Sequence, residues 1–465
     1  MSVIGMFIKN LVETNYKALP ADVIEVTKKQ ILDTLAATIG GSTCSISGEM
    51  NGLVDLVKEW GGKEESTIIA FGGRVPAPNA AFVNGILCVR LDFDDTQVTL
   101  VHRHTSRAIV PTALAMAERQ GHINGKEFIT AVALGCDLAC RMKEAVGRDA
   151  DSPFGTTPNF FGATATAGKL LGLNDEKLKY ALGLAFHQIS GAIGGGGIIG
   201  LGASLKGVSN GFAVKAGIVS ALLAERGFTA DSDFLEPKIK NNFYDVFYHG
   251  FYWPWLLTLD LGKVFMGTKT SLKKIPCCHG QHISIEATLG LLREQGIKSE
   301  DIVDVILHIS PFDYSRLVDP VERKQNPQNI IETQFSLCWG VASAIIYGEV
   351  GIKNFTAEAL RDTRIRDMAR KVISKPEAGL ARGLGFTPAI VEIRTKDGRV
   401  YSKQVDHPFG SPENPMSFAD VAVKFRHCCE YSVKPISKEN QDKVIQMVER
   451  LEEVSDVSQI VRLLA

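Results

Sequence analysis

From residue 20 to residue 225 the chain is one apolar, helix-like stretch after another, and this confines the first half to a helical architecture. Residues 20–39 set the pattern. Pro20 suits a first helical turn, Val23, Val26, Leu32 and Leu35 fall close to one face, and Gly40-Gly41 stops the run. The same reading predicts helices over 48–60, 79–89, 111–120, 126–146, 160–173, 175–190 and 206–225. The stretch 160–173 is rich in alanine and glycine, which lets helix backbones approach closely. After an aromatic-rich, irregular segment at 241–255 the character changes. Residues 301–309 are β-branched and read as a strand. Residues 389–395 and 399–405 flank Lys396-Asp397-Gly398, a hairpin signal. Helices are expected at 333–347 and within 356–372. Ser417-x-x-Asp420 then opens a last helical section with capping-box chemistry, 440–464 reads as an amphipathic helix, and this section is expected to return to the first domain.

At 465 residues the chain is long enough for two or three domains. Lys+Arg (51) and Asp+Glu (52) nearly cancel, so no nucleic-acid groove is expected. The first residues lack the basic region of a signal peptide, and no apolar stretch reads as long enough to cross a membrane. The nine cysteines include no zinc-type pair, and Cys136-x3-Cys140 is helical spacing on an apolar face, so reduced core thiols in a cytoplasmic protein are expected.

Between two apolar helices lies the most polar stretch of this half, Leu91-Asp-Phe-Asp-Asp-Thr96 running on to His102-Arg-His-Thr-Ser-Arg107 and Pro111. His104, with Asp92, Asp94 and Asp95 near enough to orient it, is a candidate acid/base. Lys206, at the first turn of a buried helix, and Lys273, before Ile275-Pro-Cys-Cys-His-Gly-Gln-His282, are lysines in apolar or glycine-rich surroundings. Such a lysine binds a carboxylate, or moves a proton once desolvation lowers its pKa. Tyr314 follows the 301–309 strand and could donate a proton or simply pack. Residues 195–200 match G-x-G-x-x-G, but a helix precedes them rather than a strand, so a mobile loop beside a site is expected, not a dinucleotide site. His102, His104 and Asp95 fit no standard metal-ligand spacing, and no metal is expected.

These motifs together resemble the MmgE/PrpD family. The resemblance rests on Leu91-Asp-Phe-Asp-Asp-Thr96 with His104 seven residues before Pro111, on Phe161-Gly-Ala-Thr-Ala-Thr-Ala-Gly-Lys-Leu-Leu-Gly-Leu173, and on Lys206 with Gly211 and Ala213. It continues through Ala224-Glu-Arg-Gly-Phe-Thr229, Lys273-Lys-Ile-Pro276, Gln334-Phe-Ser-Leu337 and Pro412-Glu-Asn-Pro415, and covers nearly the whole chain. It implies a mainly α fold: a large all-helical domain formed by both chain ends (1–265 plus 406–465), with a smaller α+β lid domain (266–405) inserted. It further implies a metal-free, cofactor-independent homodimer with its site between the domains. The family's site positions fall on Asp92, Thr96, His104, Lys206, Lys273 and Tyr314. Where the family commonly reads His-Pro-Ser this chain has His104-Thr105-Ser106. A family histidine has no counterpart within 152–159, and Cys278 stands at a lid position held elsewhere by histidine, with His279 beside it. His102, Arg103 and Arg107 are therefore candidates for this chain's own substrate contacts, together with Cys278 and His279. The implied function is a lyase on a small di- or tricarboxylate, a dehydratase or a decarboxylase working by proton transfer next to a carboxylate, with His104 oriented by Asp92. The alternatives are an epimerase of a small dicarboxylate, or a non-catalytic binding protein on the same scaffold.

Overall fold

Apolar helical faces bury themselves on one another, and here both ends of the chain do so in one core. In the computed structural model the described residues are 2–43, 48–97, 104–147, 157–189, 205–380 and 385–465, with the backbone alone for 205 and 206. One hydrophobic cluster runs from Ile4, Ile31 and Leu35 through Ile109, Phe128, Phe161 and Ile218 to Phe425, Val448 and Leu464. The helix Ala21–Gly40 packs against Phe418–Glu430, so the first and last sections close on each other.

The helices Gly125–Glu144 and Thr157–Leu170 cross at glycine. A Cβ added to Gly135 would lie 2.0 Å from Thr166 Oγ1 and 3.0 Å from the Gly162 carbonyl oxygen. The helix Leu205–Glu225 packs against Ala77–Leu87, Thr157–Leu170 and Asp175–His187. Its Gly207–Glu225 portion is long and apolar enough to cross a membrane by length and composition, which corrects the expectation that no stretch is. Its best window is 67% buried, as suits a helix at the centre of a protein core.

A second cluster, from Ile275 and Ile283 through Val305, Leu307, Trp339 and Phe355 to Val391 and Ile393, belongs to the middle of the chain. It lies on a four-stranded sheet ordered Val372–Pro376, Ile302–Ile309, Ala389–Thr395, Val400–Val405. The first pair is parallel (Val305↔Val372) and the others antiparallel, and the hairpin turns at Gly398 with φ +82°. The helices His282–Gln295 and Leu337–Tyr347 contribute to the same core.

Several boundaries differ from the sequence expectations. The helix expected from 111 begins at Ser106, so Ser106 and Arg107 occupy a first helical turn and Pro111 lies inside the helix. Proline lacks the N–H that would bond the Arg107 carbonyl. Asn210 Nδ2 (3.1 Å) and the Cys88 thiol (3.3 Å) donate to that carbonyl instead. The helix expected over 333–347 is broken at Ser336, whose hydroxyl caps Leu337–Tyr347 by accepting from Trp339 N–H. The segment 440–464 is likewise broken, into Lys438–Glu449 and Ser458–Arg462. The strand Val372–Pro376 and the helix His282–Gln295 have no counterpart among the expectations.

Candidate active site

The carboxylate stretch leaves the helix Ala77–Leu87 through a turn closed by Asp92 N–H on the Val89 carbonyl, with Asp92 in the left-handed region at φ +51°. Aspartate tolerates that conformation better than most residues. It turns the Asp92 carboxylate to Lys273, whose Nζ lies 3.0 Å from Oδ2 and 2.6 Å from the Asp92 carbonyl oxygen. Both side chains are buried. Burial lowers the Lys273 pKa, while the negative charge of Asp94 works against that shift.

Two residues on, Asp94 Oδ2 accepts from His104 Nδ1 (3.0 Å) and Arg107 Nη1 (3.2 Å). Burial pushes the Asp94 carboxyl up, but His104, Arg107 and Lys273 together bring it well below the usual carboxylate range. His104 Nδ1 also lies 2.5 Å from the Asp95 carbonyl oxygen. Two acceptors facing Nδ1 require that nitrogen to carry a proton, which leaves Nε2 as the exchanging position. Asn159 Nδ2 holds the His104 carbonyl at 3.0 Å. Burial, with the Arg107 and Lys273 charges, lowers the His104 pKa against the opposing pull of Asp94.

Asp95 is a staple. Its Oδ1 accepts from Ser106 Oγ (2.5 Å) and its Oδ2 from Thr270 Oγ1 (2.9 Å) and Gln30 Nε2 (3.4 Å). Burial raises its pKa, and the Ser106 and Thr270 hydroxyls oppose the rise. Thr96–Gln97 then pairs antiparallel with Thr270–Ser271, joining the stretch to the chain that enters the second core. The Thr96 hydroxyl is buried and has no partner among the described residues. Ser271 Oγ meets His279 Nε2 at 3.1 Å, and the His279 ring lies 4.5 Å from those of His282 and Phe386. Gln334 Nε2, from the second core, donates to the Arg90 carbonyl at 3.2 Å.

The structure thus brings Asp92, His104, Arg107 and Lys273 into one cluster, with Thr96 and His279 on adjoining strand and turn. The expected pairing of His104 with Asp92 is corrected. Asp94 takes that place, because the left-handed backbone at Asp92 commits its carboxylate to Lys273. Arg107 is 5% exposed and faces Asp94, not bulk solvent. Cys278 is half-buried, its N–H on the Gln334 carbonyl. Tyr314 is half-buried on the second core, in the helix Pro311–Leu317 that packs on His279–Gln281, and no described hydrogen bond joins its ring to the cluster. His102, Arg103 and the 195–200 glycines lie outside the described residues, as does the Lys206 side chain. Residue 206 stands one helical turn before Asn210, which bonds the Arg107 carbonyl. Among the described residues no group of three His, Cys, Asp or Glu could hold a metal ion.

Sequence reasoning missed one pair beneath the cluster. Lys424 Nζ lies 2.6 Å from Asp33 Oδ1 and 2.7 Å from the Phe93 carbonyl oxygen. The available signal was a lone charge inside each of two apolar runs, Ile31-Leu-Asp-Thr-Leu35 and Val421-Ala-Val-Lys-Phe425.

Two cores joined at a cluster of buried carboxylates, cations and one imidazole place the chain in a class of two-domain, mainly helical proteins. More narrowly, it belongs to the MmgE/PrpD family. Residues 7–256 match the MmgE/PrpD N-terminal domain and 275–452 the C-terminal domain. It is 25% identical to a cis-aconitate decarboxylase-like protein, oryM, of Aspergillus oryzae, over 96% of this chain and 94% of that one. It is 24% identical to human cis-aconitate decarboxylase (95% and 90%) and 26% identical to that of Aspergillus terreus (96% and 92%). Membership supports a lyase-type function.

Proposed function

We propose that this enzyme is a cofactor-independent lyase that acts on a small di- or tricarboxylate by moving a proton at a carbon next to a carboxylate. The observation that carries the reading is the His104 ring. Its Nδ1–H is committed to Asp94 and the Asp95 carbonyl, so Nε2 is the position where a proton is taken or given, beside buried Arg107 and Lys273. A carbon next to a carboxylate is a weak acid, and its anion must be stabilised by preorganised positive charge. Arg107, Lys273 and Lys206 supply that charge and bind the substrate carboxylates. The unpartnered Thr96 hydroxyl donates to a carboxylate or hydroxyl, and Arg103, His102, Cys278 and His279 shape the pocket. Tyr314 completes it from the lid as an acid.

In decarboxylation the C–C bond to the departing CO2 breaks, its electron pair stays on carbon, and carbon takes a proton from Nε2–H of the imidazolium that Asp94 stabilises. In dehydration neutral Nε2 removes the proton, the C–H electron pair forms the double bond, and the β C–O bond breaks as the hydroxyl takes a proton from Tyr314 and leaves as water. The named relatives favour decarboxylation of a cis-aconitate-like acid. The working form is a cytoplasmic homodimer, with no nucleic acid or membrane as partner.

The test is turnover of citrate, 2-methylcitrate, cis-aconitate and iminodisuccinate in D2O, followed by NMR. Released CO2 or a new double bond is expected, with a loss of roughly 100-fold or more for His104→Gln. Deuterium entry with stereochemical change alone would move the assignment to an epimerase. Full activity in His104→Gln would remove the proposed base.

A further inference from the structure

The carboxylate stretch is held by a lysine on either side. Lys273 Nζ grips the Asp92 carbonyl at 2.6 Å, and Lys424 Nζ grips the next carbonyl, that of Phe93, at 2.7 Å. The Lys424 ammonium also sits 3.8 Å from the centroid of the Phe93 ring, so it fixes both ends of that residue. Consecutive carbonyls tied to two buried ammonium groups leave the intervening peptide little rotation. Asp92 and Asp94, the carboxylates that face Lys273 and His104, flank Phe93 on either side. The Lys424 side chain is 4% exposed and Asp33, its counter-ion, 0%. Asp33 Oδ2 has no partner among the described residues, so this pair is incompletely satisfied. A buried ion pair is weak evidence for stability, since well-packed apolar residues often serve as well. What the pair supplies that apolar residues could not is a donor aimed at the Phe93 carbonyl.

We propose that Lys424, paired with Asp33, is a positioning residue that sets the direction of the Asp92–Asp94 carboxylates and through Asp94 the tautomer of His104. Its bearing on turnover rests on the lyase reading above; its bearing on His104 does not.

The experiment uses the full chain carrying Lys424→Met with Asp33→Leu, which removes both charges and fills their volume. The first readout needs no substrate: the His104 ring nitrogens by 15N NMR, assigned with His104→Gln. The wild type is expected to show a single Nδ1–H tautomer, and the double variant a ring exchanging between tautomers. The second readout is kinetic: kcat is expected to fall on the order of 100-fold, with KM within about threefold, because a small misplacement of the proton carrier costs rate rather than binding. An unchanged His104 signal overturns the proposal, and so does a changed signal with unchanged kcat. If the wild type turns over none of the polyacids, the lyase reading fails while the NMR comparison still decides the positioning role. Should the double variant not fold, Lys424→Met with Asp33→Asn, which also removes the donor without stranding a buried carboxylate, is read the same way.

Discussion

Asp33→Asn isolates the charge of the buried carboxylate while keeping its shape. Burial pushes the Asp33 carboxyl up from 3.8 to about 6, against the pull of Lys424 and with help from Asp95 and Asp94. A folded-state pKa above the unfolded one means that the folded protein holds the proton more tightly. Stability is therefore lost as pH rises from near 4, where the unfolded chain ionises, to near 6, where the folded one does. Two units at about 1.4 kcal/mol each give a cost on the order of 3 kcal/mol at neutral pH. Asparagine does not ionise and carries no such cost. The stability difference, variant minus wild type, should therefore grow in the variant's favour by up to about 3 kcal/mol from the acid end of this window to above it, while the loss of Lys424's counter-ion sets its absolute value. Denaturant unfolding of both proteins at steps from pH 4 to 7 measures the difference directly. A difference that stays flat across the window, or that grows in favour of the wild type, refutes the reasoning and shows that Lys424 holds Asp33 ionised at no cost.

Lys273→Met should destabilise the protein by about 3–5 kcal/mol by stranding the buried Asp92 carboxylate, and adding Asp92→Asn should restore most of that, measured by denaturant unfolding. His104 should titrate below its ordinary 6.5 by NMR, and Asp94→Asn should lower it further, because Asp94 is the group that raises it. Asn210→Leu takes a donor from the carbonyls of Gly85 and Arg107 and should cost about 2 kcal/mol, read as a lower thermal midpoint. Gly135→Ala forces a methyl to within 2.0 Å of Thr166 Oγ1 and should cost about 2 kcal/mol or more in the same measurement.

The helices were legible where one face is apolar and a cap follows, as in Ala21–Gly40 with Gly41 or Phe418–Glu430 with its Ser417/Asp420 capping box. The hairpin Ala389–Val405 was legible from its turn. The edge strand Val372–Pro376 was not, because an exposed edge carrying Lys375 and Pro376 shows no apolar alternation. Nor was the helical start at Ser106, since a proline five residues on reads as a boundary unless a side chain such as Asn210 meets the freed carbonyl. Local composition marked the carboxylate stretch but could not say which aspartate faces His104. That choice turns on one backbone dihedral, at Asp92. The partnership of Asp33 with Lys424 spans 391 residues, beyond any local pattern.

That long-range partnership also orders events during synthesis. Asp33, Asp92, Asp94 and Asp95 leave the ribosome early, while Lys273 and Lys424, which answer two of them, leave late. The first half of the chain must therefore hold carboxylates that cannot be buried ionised until their lysines arrive. A nascent chain stalled before residue 418 would lack the helix Phe418–Glu430 that covers Ala21–Gly40. Release of the last section, more than completion of the first, is then the moment at which the buried carboxylates have all their lysines.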